Sequence, residues 1–351
     1  MFTYTQQDLE KNMGWKVKTL VFLLPIVLYF AFKYIKENFL LFVLLGNAIL
    51  PRLPFETYRQ LNPDINDFAT PDNDLLDKYD FVIVGAGSAG AVVANRLSEN
   101  ESWKILLLEA GGAENLLTEI PSVFFNIIST SLNWGYETEE YDNICPDKKL
   151  KWPRGKALGG TSAINGMAYT RGNKKDYDAW EQQGNPGWSF KDVLPYFKKS
   201  EDNRDETLAG SKYHSKGGPL TVENIDKYPL LDVMMEGCKK VLPFNPDYNG
   251  EKQTGCCFYQ NNKRDGQRCS TAKAFLSNKR SNLHISPLSH VHKINIDPDT
   301  KVATGVTFKK NGQLRSVSAK KEVVLSGGAI GSPQVLDTLF LSNKLLKIDA
   351  L

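Results

Sequence analysis

The chain has 351 residues, of which 41% are hydrophobic and 24% charged, and its formal net charge is +3. This is the composition of a globular protein of about two domains with a sizeable core. The near-neutral balance, with no Lys/Arg block interleaved with aromatics, gives no sign of a nucleic-acid-binding surface, so no nucleic acid is expected as a partner.

Residues 1–50 differ in kind from the rest. Lys16 and Lys18 precede the apolar run Thr19–Phe32, and a second run spans Phe39–Leu50. Each is 12–14 residues long, short for a full membrane span and nearer to the apolar core of a signal peptide. The expectation is a secretory signal or membrane anchor, and therefore a secreted or membrane-anchored protein with its basic flank in the cytosol. Residues 51–78 are rich in Pro, Asn and Asp and read as a linker.

Tyr79–Val84 is a short apolar, β-branched strand. Gly85-Ala86-Gly87-Ser88-Ala89-Gly90 follows at once, then a segment of helical composition, then a second buried strand at Lys104–Ala110. That succession is a βαβ unit and requires a parallel sheet. Its glycines have distinct tasks. Gly85 permits a tight turn, Gly87 lets a pyrophosphate approach the backbone, and Gly90 lets helix and sheet pack closely. The helix N-terminus offers free N–H groups and a positive dipole end to the phosphate. Glu109, 24 positions after Gly85, places a carboxylate where ribose hydroxyls can donate to it and a 2′-phosphate is repelled.

NAD and FAD both fit that unit. About seventy residues on, Trp152–Gly172 carries five glycines in a stretch without helical or strand period. A nicotinamide cofactor needs no second glycine loop, whereas a buried flavin dinucleotide must be wrapped by backbone over most of its length. Further along, Ser189 and Asp192 have capping-box spacing and start a helix. Turns at Asp297–Thr300 and Lys310–Gln313 divide a β-meander with strands around Ile294, Val302–Phe308 and Leu314–Ala319. The run "EVVLSGGAIGSPQVL" then reads as strand, glycine pair and a helix starting near Ser332 or Pro333.

The stretch Gly155-Lys156, Leu158 to Ser162, Ile164-Asn165, Tyr169, Gly172 and Asp178 resembles the first signature of the glucose–methanol–choline oxidoreductases. "GNPGWSFKDVLPYFKKSEDN", "YHSKGGPLTV" and "RCSTAKAFL" are similar to the insect branch of that family, which includes quinone-linked glucose dehydrogenases. The resemblance runs from Tyr79 to Leu336. It implies an α/β fold with a Rossmann-type FAD-binding βαβ unit and β-meander, plus an incomplete α+β substrate domain. FAD-binding parts are expected at 79–172 and 268–351, and the partial substrate domain at 173–267.

The resemblance also implies site residues. Gly85, Gly87, Ser88 and Gly90 would bind the pyrophosphate, and Glu109 with Ala110 the adenosine ribose. Gly159, Gly160 and Ser162 would line the pyrophosphate and ribityl chain. Asn165, Gly166, Met167 and Ala168 would press on the flavin ring, and Val291 would meet the adenine. The implied activity is oxidation of an alcohol or sugar CH–OH group by hydride transfer to the flavin, with a quinone or another electron acceptor. Gly331 stands where the family pattern has Asn, and the family's His base falls past the resembling segment. No catalytic residue is assigned, and this chain alone is expected to be catalytically poor. The alternative is an inactive, shortened flavin-binding or regulatory product.

The remaining candidates are weaker. His290 and His292 can share a strand face, but no third ligand suggests a metal. His214 and His284 read as surface or satisfied loop histidines. Trp134, Trp180 and Trp188 read as core packing rather than sugar-site walls. There are five cysteines and no C-x-x-C, which argues against zinc and thioredoxin-like chemistry. Cys256 and Cys257 read as two small buried hydrophobes.

Overall fold

The computed structural model describes residues 68–140 and 149–342. The expected signal or anchor at 1–50, most of the linker at 51–78, and Cys145 lie outside the described residues. Among the described residues, no helix is long and apolar enough to cross a membrane.

The first strand, β1 (Lys78–Val84), is buried along nearly its whole length. Helix α1 (Ser88–Leu97) follows, then β2 (Ile105–Leu108), every residue of which is buried. Near-continuous apolar runs of this kind belong in a parallel sheet covered on both faces. The pairing is parallel, with Phe81 opposite Ile105 and Val84 opposite Leu108. Side chains alternate across a strand, and the two faces have different covers. Val82, Val84, Leu106 and Leu108 pack against Val291, Ile294, Val306, Phe308 and Val317 of the meander. On the other side, α1 lies on β1 and β2 through its buried residues Gly90, Ala91 and Ala94.

A short ribbon, β3 (Tyr136–Glu137) with β4 (Lys151–Trp152), leads into the second glycine-rich stretch. Helices α2 (Lys174–Gln182) and α3 (Phe190–Ser200) come next. The expected cap is present: the Ser189 hydroxyl accepts from the Asp192 N–H. A small sheet contains β5 (Glu201–Asn203), β6 (Leu220–Asn224) and β7 (Gln260–Asn261), with β6 in the middle. Helix α4 (Pro229–Lys239) is tied to the loop before β7 by a Cys238–Cys256 disulfide. Cys256 is therefore bonded rather than a free buried thiol, because the helix end brings Cys238 beside it. Its neighbour Cys257 is free and half-buried. A two-stranded hairpin, β8 (Lys263–Arg264) with β9 (Gln267–Arg268), and helix α5 (Thr271–Phe275) return the chain to the large sheet.

That sheet has six strands, in the order β10-β2-β1-β13-β12-β11. Strand β10 (Leu283–Ser286) extends its parallel edge beside β2. The meander is β11 (Ser289–Ile296), β12 (Ala303–Lys310) and β13 (Gln313–Leu325), with turns where the sequence places them. Two details differ from expectation. Strand β13 does not stop at Ala319. Its first half pairs antiparallel with β12 and its second half runs on, parallel to β1, with Val323 opposite Val82. "VSAKKEVV" holds no Gly, Pro or Asn to break the strand, so one extended segment serves both layers. The last helix, α6 (Gly328–Ser342), starts at the glycine pair and takes Pro333 inside it.

Candidate cofactor-binding site

The two glycine-rich segments meet backbone to backbone. The Gly159 N–H donates to the Ala86 carbonyl at 2.8 Å, and the Leu158 N–H to the Gly112 carbonyl at 2.9 Å. Gly160, at φ +53°, lies so close to the first loop that an added Cβ would sit 2.7 Å from the Gly87 Cα. Gly90 is needed for packing: a Cβ there would come within 1.8 Å of the Gly85 carbonyl oxygen. Gly87 is different, since its added Cβ would meet only the Gly160 Cα, at 3.8 Å. Packing therefore does not require glycine at 87, whose backbone borders open space between the loops.

Between these loops, β2 and the start of α6 lies a cavity of about 680 Å³, within the usual range for a cofactor site. Of the residues that the resemblance implies, Gly85, Gly87, Ser88, Glu109, Ala110, Gly160 and Val291 line it. Gly90, Gly159, Ser162 and Asn165 to Ala168 do not. Gly90 is spent on helix packing, and the Ser162 hydroxyl turns to the Gly159 carbonyl and the Thr271 hydroxyl.

Two helix N-termini open on the cavity. Gly87 is the N-cap of α1 and supplies no capping side chain, and Ser88 and Ala89 both line the wall. Gly328, Ala329 and Ile330, at the start of α6, line the other side. Two positive helix ends, whose first N–H groups have no partner within the helix, thus border one space, the arrangement that receives phosphate. The α6 contribution was missed in the site prediction. Its signal is plain in retrospect: strand, Ser326-Gly327-Gly328, helix repeats the strand–glycine–helix order of the first loop.

Glu109 is 5% exposed, and each carboxylate oxygen accepts one backbone N–H: Oε2 from Ala86 and Oε1 from Gly111, both at 2.8 Å. Burial pushes its pKa up, while those two donors oppose the shift. A carboxylate has about four lone-pair sites, so the group ties the first glycine loop to the end of β2 and keeps acceptor capacity toward the cavity it lines.

The opposite wall is aromatic and was also missed. The Trp134 ring is stacked with Tyr136 at 5.8 Å and tilted against His290 at 5.7 Å, and the His290 and His292 rings lie 5.0 Å apart. All four residues line the cavity. Burial, then His292 and Lys156, push the pKa of His290 down from its ordinary value. Trp180 and Trp188 are exposed, not core, and pack on each other at 6.1 Å. His284 lies on β10, where its Nδ1 pairs with the Tyr79 hydroxyl. His214 is a satisfied loop histidine, but a buried one. Its Nδ1 faces Glu201 at 2.7 Å and its Nε2 faces Asp247 at 3.0 Å. Among the described residues, no group of three or more His, Cys, Asp or Glu could hold a metal ion.

The family model described as GMC oxidoreductase matches residues 79–340. The chain belongs to that family. It is 47% identical over 266 residues to a glucose dehydrogenase [FAD, quinone] of Drosophila pseudoobscura pseudoobscura, covering 74% of this chain and 43% of that protein. It is 40% identical to an alcohol dehydrogenase [acceptor] of Pseudomonas putida, covering 74% of this chain and 47% of that one. Among solved structures, pyridoxine 4-oxidase from Mesorbium loti superposes with a TM-score of 0.68 at 31% identity, over 73% of this chain and 51% of that one. The chain thus spans about half the length of the curated relatives it matches.

Proposed function

We propose that this GMC family chain binds FAD in the cavity and belongs to an oxidoreductase that acts on the CH–OH group of an alcohol or sugar. The backbone docking of Gly159 and Gly160 onto Ala86 and Gly87 carries the reading. Two loops without side chains share one cavity, with helix N-termini at one part and a buried carboxylate at another. The residues fit such a cofactor. Gly331 lines the cavity and an added Cβ there would meet no atom within 4 Å, so open space lies where a side chain would stand.

Bound there, FAD would supply the acceptor for a hydride leaving the carbinol carbon. The chain's own residues do the holding. Ser88, Ala89 and the start of α6 present N–H groups to the pyrophosphate, and Arg154 adds a cation to the same wall. Glu109 accepts from ribose hydroxyls. Trp134 and His290 offer ring faces to a base near Val291. Gly159, Ser162 and Asn165 to Ala168 lie beyond the cavity and shape the continuation toward the ring. By the 47% identity to a glucose dehydrogenase [FAD, quinone], the proposed donor is a sugar or alcohol and the proposed acceptor a quinone. The Cys238–Cys256 disulfide supports a secreted or membrane-anchored protein, because such bonds persist in oxidising compartments.

The deciding experiment is titration of the purified chain with FAD, NAD and NADP, followed by flavin absorbance and fluorescence quenching. FAD should bind with the visible band shifted from that of free flavin, and the nicotinamide nucleotides should not compete. A chain that stays colourless and quenches nothing at millimolar FAD would end the proposal.

A further inference from the structure

Arg268 is the largest fully buried side chain among the described residues, 1% exposed, and it does not touch the cavity. Its Nε donates to the Thr118 carbonyl at 2.7 Å. Its Nη1 donates to the Ser162 carbonyl at 3.0 Å, the Asn165 carbonyl at 2.8 Å and the Asn165 Oδ1 at 2.9 Å. A buried cation thus sits on the carbonyl end of the 3₁₀ turn Gly160–Ala163 and on Asn165, two residues past it. The Nη2 atom has no partner among the described residues. Burying a guanidinium with one nitrogen unsatisfied is costly, so the position calls for a reason beyond packing.

Asn165 supplies one. Its Oδ1 also accepts from the Met167 N–H at 3.1 Å, and its Nδ2 donates to no described residue. Met167 is at φ +62°, a left-handed backbone that strains a non-glycine residue. The Met167 carbonyl in turn accepts from the Asn262 N–H. Arg268 therefore fixes which way the Asn165 carboxamide points, and that carboxamide holds the strained residue two positions on.

We infer that Arg268 is a positioning residue for the segment Asn165–Ala168: it pins the Asn165 oxygen inward and, through it, the left-handed backbone at Met167, in the segment that the FAD reading sets toward the flavin ring. The inference rests on the FAD reading above. It extends that reading by giving the ring segment an ordering device on β9, a different element.

The experiment compares Arg268→Gln and Asn165→Ala with the parent chain, reading amide exchange at Met167 without flavin and affinity and visible circular dichroism with it. Asn165→Ala keeps the buried guanidinium and is the variant that folds if Arg268→Gln does not. Met167 exchange should speed up at least tenfold in both variants, with amides of β1 unchanged. Flavin affinity should fall about tenfold, with an altered visible dichroism. Unchanged Met167 protection in Asn165→Ala, or wild-type affinity and dichroism in both variants, would overturn the inference. A parent that binds no flavin yet shows the exchange effect would defeat the FAD reading while supporting the pin.

Discussion

Around Gly85 and Gly160 the chain brings backbone against backbone and leaves N–H groups turned toward a cavity. Around Glu201 it does the reverse. There Glu201 meets Arg171 at 2.8 Å and His214 at 2.7 Å, His214 reaches Asp247, and the Asn203 amide adds a further bond to Glu201. Glu201, Arg171, His214 and Asn203 are all buried. Two positive and two negative side chains cancel. One region stores unmet polar capacity for a ligand, and the other uses its polar groups to hold β5 to the loops beside it. The glycine region should therefore fail through sterics and be rescued by ligand. The charge cluster should fail through desolvation and respond to pH.

The largest effect belongs to Gly90→Ala. The added methyl would meet the Gly85 carbonyl 1.8 Å away, and strand-end backbone cannot step aside as a flexible side chain does. The expected loss is roughly 4 kcal/mol or more, at the top of the single-mutation range, read as insolubility or a collapsed denaturant midpoint. A soluble, cooperatively folding Gly90→Ala chain would show that α1 and β1 are farther apart than described.

What the sequence reveals follows the same division. The βαβ unit was legible because Gly85, Gly87, Gly90 and Glu109 act at short range, within one supersecondary unit. The docking of Gly160 on Gly87 was legible only as a need for two loops, since the contact joins distant parts of the chain. The start of α6 and the Trp134–His290 wall were missed because they reach the cavity from segments far apart in the sequence, around Trp134, His290 and Gly328. The Glu201–His214–Asp247 cluster spans three separate segments, and a lone histidine in "YHSK" carries no mark of the carboxylates that will flank it. Cys238 and Cys256 meet for the same long-range reason.

Next in size is Glu201→Gln, which strands Arg171 and His214 as buried cations. Removing one partner of a buried pair costs about 3–5 kcal/mol, whereas flavin affinity per folded molecule should hold, since the cluster lies outside the cavity lining. Urea unfolding with and without FAD separates the two. A loss below about 1 kcal/mol would mean that water reaches the cluster.

The pH dependence should be of comparable or smaller size. The folded pKa of His214, at about 9, lies above its ordinary value of 6.5, so the native state holds the proton more tightly than the unfolded chain. The stabilisation is therefore complete below about pH 6.5 and is lost as pH rises through about 9. The shift corresponds to something on the order of 3 kcal/mol. In His214→Gln the fall in stability between pH 7 and 9.5 should flatten. A parent chain whose stability is level across that window would contradict a charged His214.

The smallest effect sharpens the comparison most. Gly331 sits inside α6, where glycine costs a helix about 1 kcal/mol relative to alanine. It lines the cavity, and an added Cβ there meets open space. Gly331→Ala should therefore raise the stability of the flavin-free chain by about 0.5–1 kcal/mol, the opposite sign from Gly90→Ala only one helix away. Flavin affinity should drop by less than tenfold as the methyl enters the ligand's space. Thermal melts without FAD, paired with FAD titration, read both quantities. Destabilisation of the flavin-free chain would mean that this wall is packed by protein rather than kept clear for a ligand.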